Sequence, residues 1–338
     1  MPIGGQIVSS GNTLTAGIRN NFWDAYYGYG KVVADQVDRM MERNFTSDKL
    51  TEIYAYYQSS PHWKQWIRGT DRATKGFKSV QFSVSNKDWE SGVPFHENDE
   101  EDDQTKSLIP MARETGEKAA IVDTRIMFQI MSASSDSELL ETIPNAPDGV
   151  AIYSATDGAA AARFNVSGGN IISGGAGVGS GAAIRADFLD AMSRFLAFCD
   201  TEGKPLFSKS LLDQGVTIYY PSTLLQEFAE AFQQGRTVQA TAAAQASTGA
   251  AVTNVIMDAG WKVTLVPTAY LSGSDWYLVL DGARHKPLFK QNRRPIREVI
   301  ETMDNSDVAR RTKIKSIMWD ARWGFGVGPA FTTIKIDN

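Results

Sequence analysis

The sequence predicts an α+β fold, and three stretches carry the prediction. In DQTKSLIPMARETGEKAAIVDTRIMFQIMSA (103–133), Leu108, Ala112, Thr115, Ala119, Val122, Ile126 and Ile130 recur at spacings of three and four, the period of one helix face. In FKSVQFSVS (77–85), Val80, Phe82 and Val84 alternate with Ser79, Gln81, Ser83 and Ser85, the period of a strand with one apolar face. From residue 261 onward the chain reads as strands without long helices between them. Helix and strand are segregated rather than alternating, which excludes the pattern of a parallel nucleotide-binding sheet.

Taken in order, residues 1–20 are rich in Gly, Ser and Thr and read as a loose arm. Residues 21–69 are aromatic, with helices expected at 31–43 and 47–58, the second capped by Ser47. Such aromatics pack either on the chain's own core or on a neighbouring subunit. The strand at 77–85 meets Asn86-Lys87, then WESGVPFH, where Trp89, Val93 and Phe95 share one side; the spacing predicts a hairpin with one apolar face. Two strands alone are marginal in water, so this ribbon should lie on another surface.

ENDEEDD (97–103) places six carboxylates in seven residues. It reads either as a solvated loop whose last acids cap the next helix or as a partner-binding surface. A calcium loop needs glycine at its sixth position, and Gln104 stands there. The helix at 103–133 would run about 46 Å as one rod, and Pro110 requires it to start or kink there. Residues 134–183 are Ser-, Gly- and Ala-rich, with short strands expected at 150–153 and 170–173. A helix follows at 183–199, then a strand at 215–220. A further helix runs to Gln233, with Thr223 and Gln226 as a capping box. Residues 237–251 are low-complexity, and strands are expected at 261–271, 276–281, 286–291, 313–319 and 329–336.

Composition narrows the function. The 338 residues can hold two or three domains, and a net charge of -5 argues against wholesale nucleic-acid coating. The single Cys199 forms no disulfide within its chain, which fits a reducing cytoplasm. The N-terminus has no signal-peptide pattern, and no apolar run approaches a membrane span.

Catalytic patterns are missing. Gly177, Gly179 and Ala182 fit a loose dinucleotide-binding pattern, but the acidic residue about twenty positions on, Asp200, follows a helix rather than ending a strand. His62, His96 and His285 lack metal-ligand spacing, and neither a phosphate-binding P-loop nor a serine nucleophile motif occurs. No catalytic, cofactor or metal residues are assigned, and the chain is expected not to be an enzyme. One electrostatic feature remains. Residues 284–322 hold eleven Arg and Lys against five acids, a basic stretch opposite the acidic run, which suggests head-to-tail association.

Five ordered segments resemble the Mu-like phage major head subunits. They are YYQSSPHWKQWIRGTDR (56–72), FSVSNKDWESGVPFHENDEEDDQ (82–104), GKPLFSKSLLDQGVTIYYPSTLLQEFAEAF (203–232), WYLVLDGARHKPLFKQNRRP (276–295) and ARWGFGVGPAFTTIKI (321–336). Residues 134–183 depart from the family pattern, with Asp157-Gly158 as its remnant.

The resemblance implies the phage capsid fold of the Hong Kong 97 type (HK97-like). An N-terminal arm would occupy 1–74 and an extended β-hairpin loop with the acidic run 75–102. A peripheral domain would span 103–204 around the spine helix 103–133, an axial domain 205–310, and return strands of the peripheral domain 311–338. The implied function is the major capsid protein of a tailed double-stranded DNA phage, forming hexamers and pentamers of an icosahedral head. Expected partners are further copies of the chain, a scaffolding protein and a portal, with a decoration protein left open. DNA would be enclosed without sequence recognition, with assembly in the host cytoplasm and a final place in the virion. The start at Met1 suggests a separate scaffolding protein rather than a cleaved segment.

Phe82, Trp89, Val93 and Phe95 are expected to lie over a neighbouring subunit. Asp99, Glu100, Glu101, Asp102 and Asp103 would face Arg293, Arg294 or Arg297 of another copy. Two rivals are an encapsulin-like compartment shell and a nucleotide-binding enzyme using the 174–182 glycines.

Overall fold

A computed structural model describes residues 10–59, 78–98, 108–174, 177–233, 236–238, 251–253 and 260–338, with isolated positions at 63, 65–68, 71 and 256. Helix α1 (Ser10–Met40) occupies most of the expected arm. Its buried residues Ile18, Phe22 and Ala25 stand at i, i+4 and i+7, so one face is apolar enough to dock despite a polar start. The arm is therefore helical from residue 10 onward and packed through Ile18, Phe22 and Ala25, and the helix expected at 31–43 falls largely in its second half. The chain then forms strand β1 (Met41–Thr46) and strand β2 (Thr51–Ser59). The helix expected at 47–58 is not present: β-favouring Ile53, Tyr54, Tyr56 and Tyr57 pair with strand β3 (Lys78–Ser85) instead.

Strand β4 (Lys87–His96) follows after the single residue Asn86. The predicted hairpin is overturned, because β3 and β4 lie in different sheets. Asn86 is buried; its amide N–H donates to Leu50 O at 2.8 Å, and its side chain donates to Ser47 Oγ and Lys49 O, both at 2.7 Å. A residue held from both sides in this way passes the chain straight through. The two-stranded ribbon is β2–β3, antiparallel, with Tyr54 opposite Phe82 and Tyr56 opposite Val80.

The expected spine is two helices, α2 (Leu108–Ala120) and α3 (Val122–Ser132). The break is at Ile121, with φ -93 and ψ 0, while Pro110 sits harmlessly in the first turn. Residues 103–107 of the expected rod lie outside the described residues. Helix α1 crosses α2 so closely that a Cβ on Gly116 would fall on the Phe22 carbonyl and 3.1 Å from the Ala25 Cβ.

Two sheets organise the rest. The first has the order β1–β11–β12–β4, built on the long strands β11 (Leu288–Glu301) and β12 (Ile314–Val327). The second has the order β5–β13–β10–β6–β9. Its strands are β5 (Ile171–Ser173), β6 (Val216–Pro221), β9 (Val263–Thr268), β10 (Trp276–Leu280) and β13 (Thr333–Asp337). A small pair, β7 (Arg236–Val238) with β8 (Ala251–Thr253), stands apart. Residues 311–338, grouped together by the sequence reading, are thus divided: β12 belongs to the first sheet and β13 to the second.

Helices α4 (Gly181–Ala197) and α5 (Leu225–Phe232) pack on the second sheet through Phe188, Phe195 and Phe228. Ser180 caps α4, accepting from the Ala183 N–H. The Thr223–Gln226 box does not form; a 3₁₀ turn over Ser222–Leu224 leads into α5 without a side-chain cap.

Residues 134–170 contain little regular structure, and 150–153 is not a strand. A buried arginine binds this segment together. Arg163 is 1% exposed, and its guanidinium forks onto Asp148 at 2.7 and 2.9 Å. It also donates to the carbonyls of Ala151 and Ile152 and to Asn170 Oδ1. None of the described helices is long and apolar enough to cross a membrane, and no described group of His, Cys, Asp or Glu could hold a metal ion.

Candidate functional site: the assembly surfaces

The β2–β3 ribbon lies on its own chain along Tyr54 and Tyr56; the Tyr56 ring is 6.4 Å from Phe331, and burial, with Asp148 nearby, raises its hydroxyl pKa. At its base Phe45, Tyr54, Phe82 and Phe289 form an aromatic cluster with ring centroids 5.1–6.1 Å apart. The Tyr54 hydroxyl donates to Gln291 Oε1 at 2.7 Å, while Gln291 Nε2 donates to Val84 O and Asn86 Oδ1. Gly324 and Gly326 of β12 make room: a Cβ on either would meet Gln291 and the Ser85 carbonyl, or Phe289 and Val84. The opposite face of the ribbon carries Ile53, 70% exposed, with Ala55, Gln81 and Ser83. Beyond the paired strands, Trp63 is fully exposed, and Trp66 and Ile67 are more than half exposed.

Residues expected to cover a neighbour are distributed differently. Val93 and Phe95 are buried beneath α1 and α2 with Ile18, Phe22, Ala112, Ile317 and Trp319. Being part of the chain's own core, they are not available to a second subunit. Trp89 is half-buried, 5.7 Å from Phe325, with its indole N–H donating to Trp323 O. Phe82 belongs to the ribbon base just described. The exposed apolar side chains of this segment are instead Ile53, Trp63, Trp66 and Ile67, which the hairpin expectation passed over although the aromatic segment was noted.

The charge poles also change. Asp99, Glu100, Glu101, Asp102 and Asp103 lie outside the described residues. In the basic stretch, Arg294 and Arg297 both grip Asp320 of the same chain, Arg322 pairs with Asp88, and Lys313 and Lys315 face Glu97. The Arg297 hydrogen bond, with help from Arg294, holds the Asp320 carboxyl below its usual range. Arg293 is exposed and has no hydrogen bond or ion pair among the described residues; Arg297 keeps 57% of its side chain exposed.

Inside, Lys290 links the spine to the first sheet. Its Nζ lies 2.7 Å from Asp123 Oδ1 and 3.6 Å from the Trp323 ring centroid, and burial pulls the ammonium pKa down against the pull of Asp123. Arg39 performs a similar task at the far end of α1, donating to Thr217, Thr264 and Asp281 of the second sheet. Helix α1 is therefore a strap from one sheet to the other. The strand before the glycine stretch, β5, is a three-residue strand at the sheet edge, parallel to β13, rather than a central strand of a nucleotide-binding sheet.

Residues 12–140 match the family described as the Mu-like prophage major head subunit gpT. No curated protein matches. Among solved structures, the capsid of cyanophage P-SCSP1u aligns at TM-score 0.53 and 10% identity, covering 88% of this chain and 86% of that one. The capsid of Myoviridae phage XM1 aligns at TM-score 0.52 and 10% identity, covering 88% and 89%. A structure of Mycobacterium phage Patience aligns at TM-score 0.53 and 10% identity, covering 94% and 87%. The chain has the fold of these phage capsid structures, and residues 12–140, under half of its length, are similar to the Mu-like major head subunits.

Proposed function

We propose that this chain is the major capsid protein of a tailed double-stranded DNA phage, joining copies of itself into hexamers and pentamers that close as an icosahedral head. The observation that carries this reading is exposed apolar surface on the ribbon segment: Ile53 on the outer face of β2 and Trp63 beyond the paired strands suit contact with another subunit. The first sheet with α1, α2 and α3 forms the peripheral body. The second sheet with α4 and α5 forms the axial body that gathers at the capsomer centre. Exposed Arg293 and Arg297 contribute complementary charge to the acidic run of a neighbouring copy, fixing register more than affinity.

The work of the molecule is assembly rather than catalysis. A scaffolding protein and a portal complete the pathway, and DNA is enclosed by shape, in keeping with a net charge of -5. Mass photometry of the purified protein tests this. Species at five and six times the 37.0 kDa chain mass, with shells beyond them, are expected. A monomer unchanged by concentration would overturn the reading.

A further inference from the structure

We propose that the outer face of α4 in one copy packs against Tyr29 and Val32 of α1 in the next copy around a capsomer axis; this rests on the capsid reading above and names a contact that closes the ring. Helix α4 is apolar on two sides. Ile184, Phe188, Met192 and Phe195 are buried against the second sheet. On the other side Ala182, Ala186, Leu189, Ser193 and Leu196 recur at spacings of four and three, the seam by which one helix receives another. All five are exposed, Leu196 to 42%.

The charged side chains of α4 turn back to their own body. Arg185 donates to Glu230 O, and Arg194 donates to Ser167 O and Gly169 O. Asp187 is buried. What remains toward solvent is alanine and leucine, on a side that a surface helix ordinarily fills with charge. Such a face suits burial against a partner. Its small residues let a second helix approach at the short end of the ~8–10 Å interaxial range.

The second sheet decides which partner. On β6, Thr217 and Tyr219 face α1: Arg39 donates to Thr217 Oγ1, and the Tyr219 hydroxyl donates to Gln36 O at 2.5 Å. Ile218 and Tyr220 alternate with them and face α4 and α5. Helices α1 and α4 therefore lie on opposite faces of one sheet, and their exposed residues cannot meet within a copy. On α1 these include Tyr29 and, one turn on, Val32, which is 72% exposed. Two apolar patches on opposite sides of one body make a heterologous contact, which closes into a ring when the rotation permits.

Charge agrees. Lys31 on α1 and Asp190 on α4 are both exposed, with no ion pair or hydrogen bond among the described residues. Pairing α4 with α4 of a second copy about Leu189 would instead bring two Asp190 carboxylates together, which like charge opposes.

Paired cysteines test the contact. In a Cys199→Ser background, Val32→Cys and Leu189→Cys are placed in one chain, and assembled shells are treated with a short bis-maleimide, which tolerates thiol geometry that a disulfide does not. Denaturing electrophoresis should show a ladder ending at five and six linked chains, with no links from either substitution alone. Dimers from Leu189→Cys alone would mean that α4 pairs with itself, and would overturn the proposal. Shells that stay unlinked would also overturn it while leaving the capsid reading intact. Absence of shells from the unmodified protein overturns the capsid reading and the contact with it.

Charge exchange supplies the second measurement. Asp190→Lys and Lys31→Asp should each lower shell yield at low salt by roughly two- to fivefold with circular dichroism unchanged, and the double variant should recover it. Losses that multiply in the double variant would refute the pairing.

Discussion

Gly116→Ala tests whether α1 is a packed part of the fold rather than a loose arm. Any side chain at 116 enters the space of the Phe22 carbonyl and the Ala25 methyl group, both on the facing helix. The obstruction includes backbone, so α1 must move away from α2. That shift disturbs the Phe22–Trp319 stack, whose ring centroids are 3.8 Å apart, and the bonds of Arg19 and Trp23 to Glu298. Overpacking of this kind costs ~1–3 kcal/mol. Alanine returns ~1 kcal/mol of helix propensity, leaving a net loss of up to about 2 kcal/mol.

Gly28→Ala is the matched control on α1, because nothing lies within 4 Å of its added Cβ. It should stabilise by up to ~1 kcal/mol. Urea unfolding of unassembled protein, followed by far-UV circular dichroism, reads both. Gly116→Ala should be the less stable of the two by about 1–3 kcal/mol. Equal effects would refute the close crossing and with it the placement of α1.

Three further outcomes are specific. Lys290→Ala should cost ~3 kcal/mol, the low end for a broken buried pair because Arg43 still lies 3.7 Å from Asp123, whereas Lys290→Met should cost much less; chemical denaturation compares them. Arg163→Ala should cost ~3–5 kcal/mol by leaving Asp148, Asn170 and two carbonyls unpaired, and Arg163→Lys should not restore the forked bond; limited proteolysis would show cleavage within 148–170. Burial first raises the Tyr277 hydroxyl to about 12 from 10.0, so its contribution is complete below pH 10 and is lost as pH rises toward 12, at most ~2.7 kcal/mol. Alkaline melting curves should therefore fall above pH 10, and Tyr277→Phe should blunt the fall. The lowered Lys290 ammonium acts oppositely up to pH 10.5, where stability rises with pH.

The β-rich end was legible because β10 and β13 carry continuous apolar or alternating patterns that match sheet burial. The spine was legible from its helical period, and its break at Ile121 was not, since Ile121 itself fits a helix. Strand β2 was misread because Ile53 and Ala55 on one face and Tyr54 and Tyr56 on the other obscure the two-residue period. Alternation correctly identified β3 and β4 as strands, but it carries no information on partners; only Asn86, bonded to Ser47 and Lys49, decides that they part. The i, i+4, i+7 set of Ile18, Phe22 and Ala25 was a visible signal for α1, outweighed by its Gly- and Thr-rich surroundings. Arg163 and Asp148 lie fifteen residues apart without a periodic signature, so their union appears only in three dimensions.

Cryo-electron microscopy of the purified protein, concentrated until it assembles, tests the central claim most directly. The account predicts closed polyhedral shells of fivefold and sixfold capsomers, with each β2–β3 ribbon crossing onto a neighbouring subunit. Particles that stay monomeric, or shells in which the ribbon lies wholly on its own subunit, would contradict it.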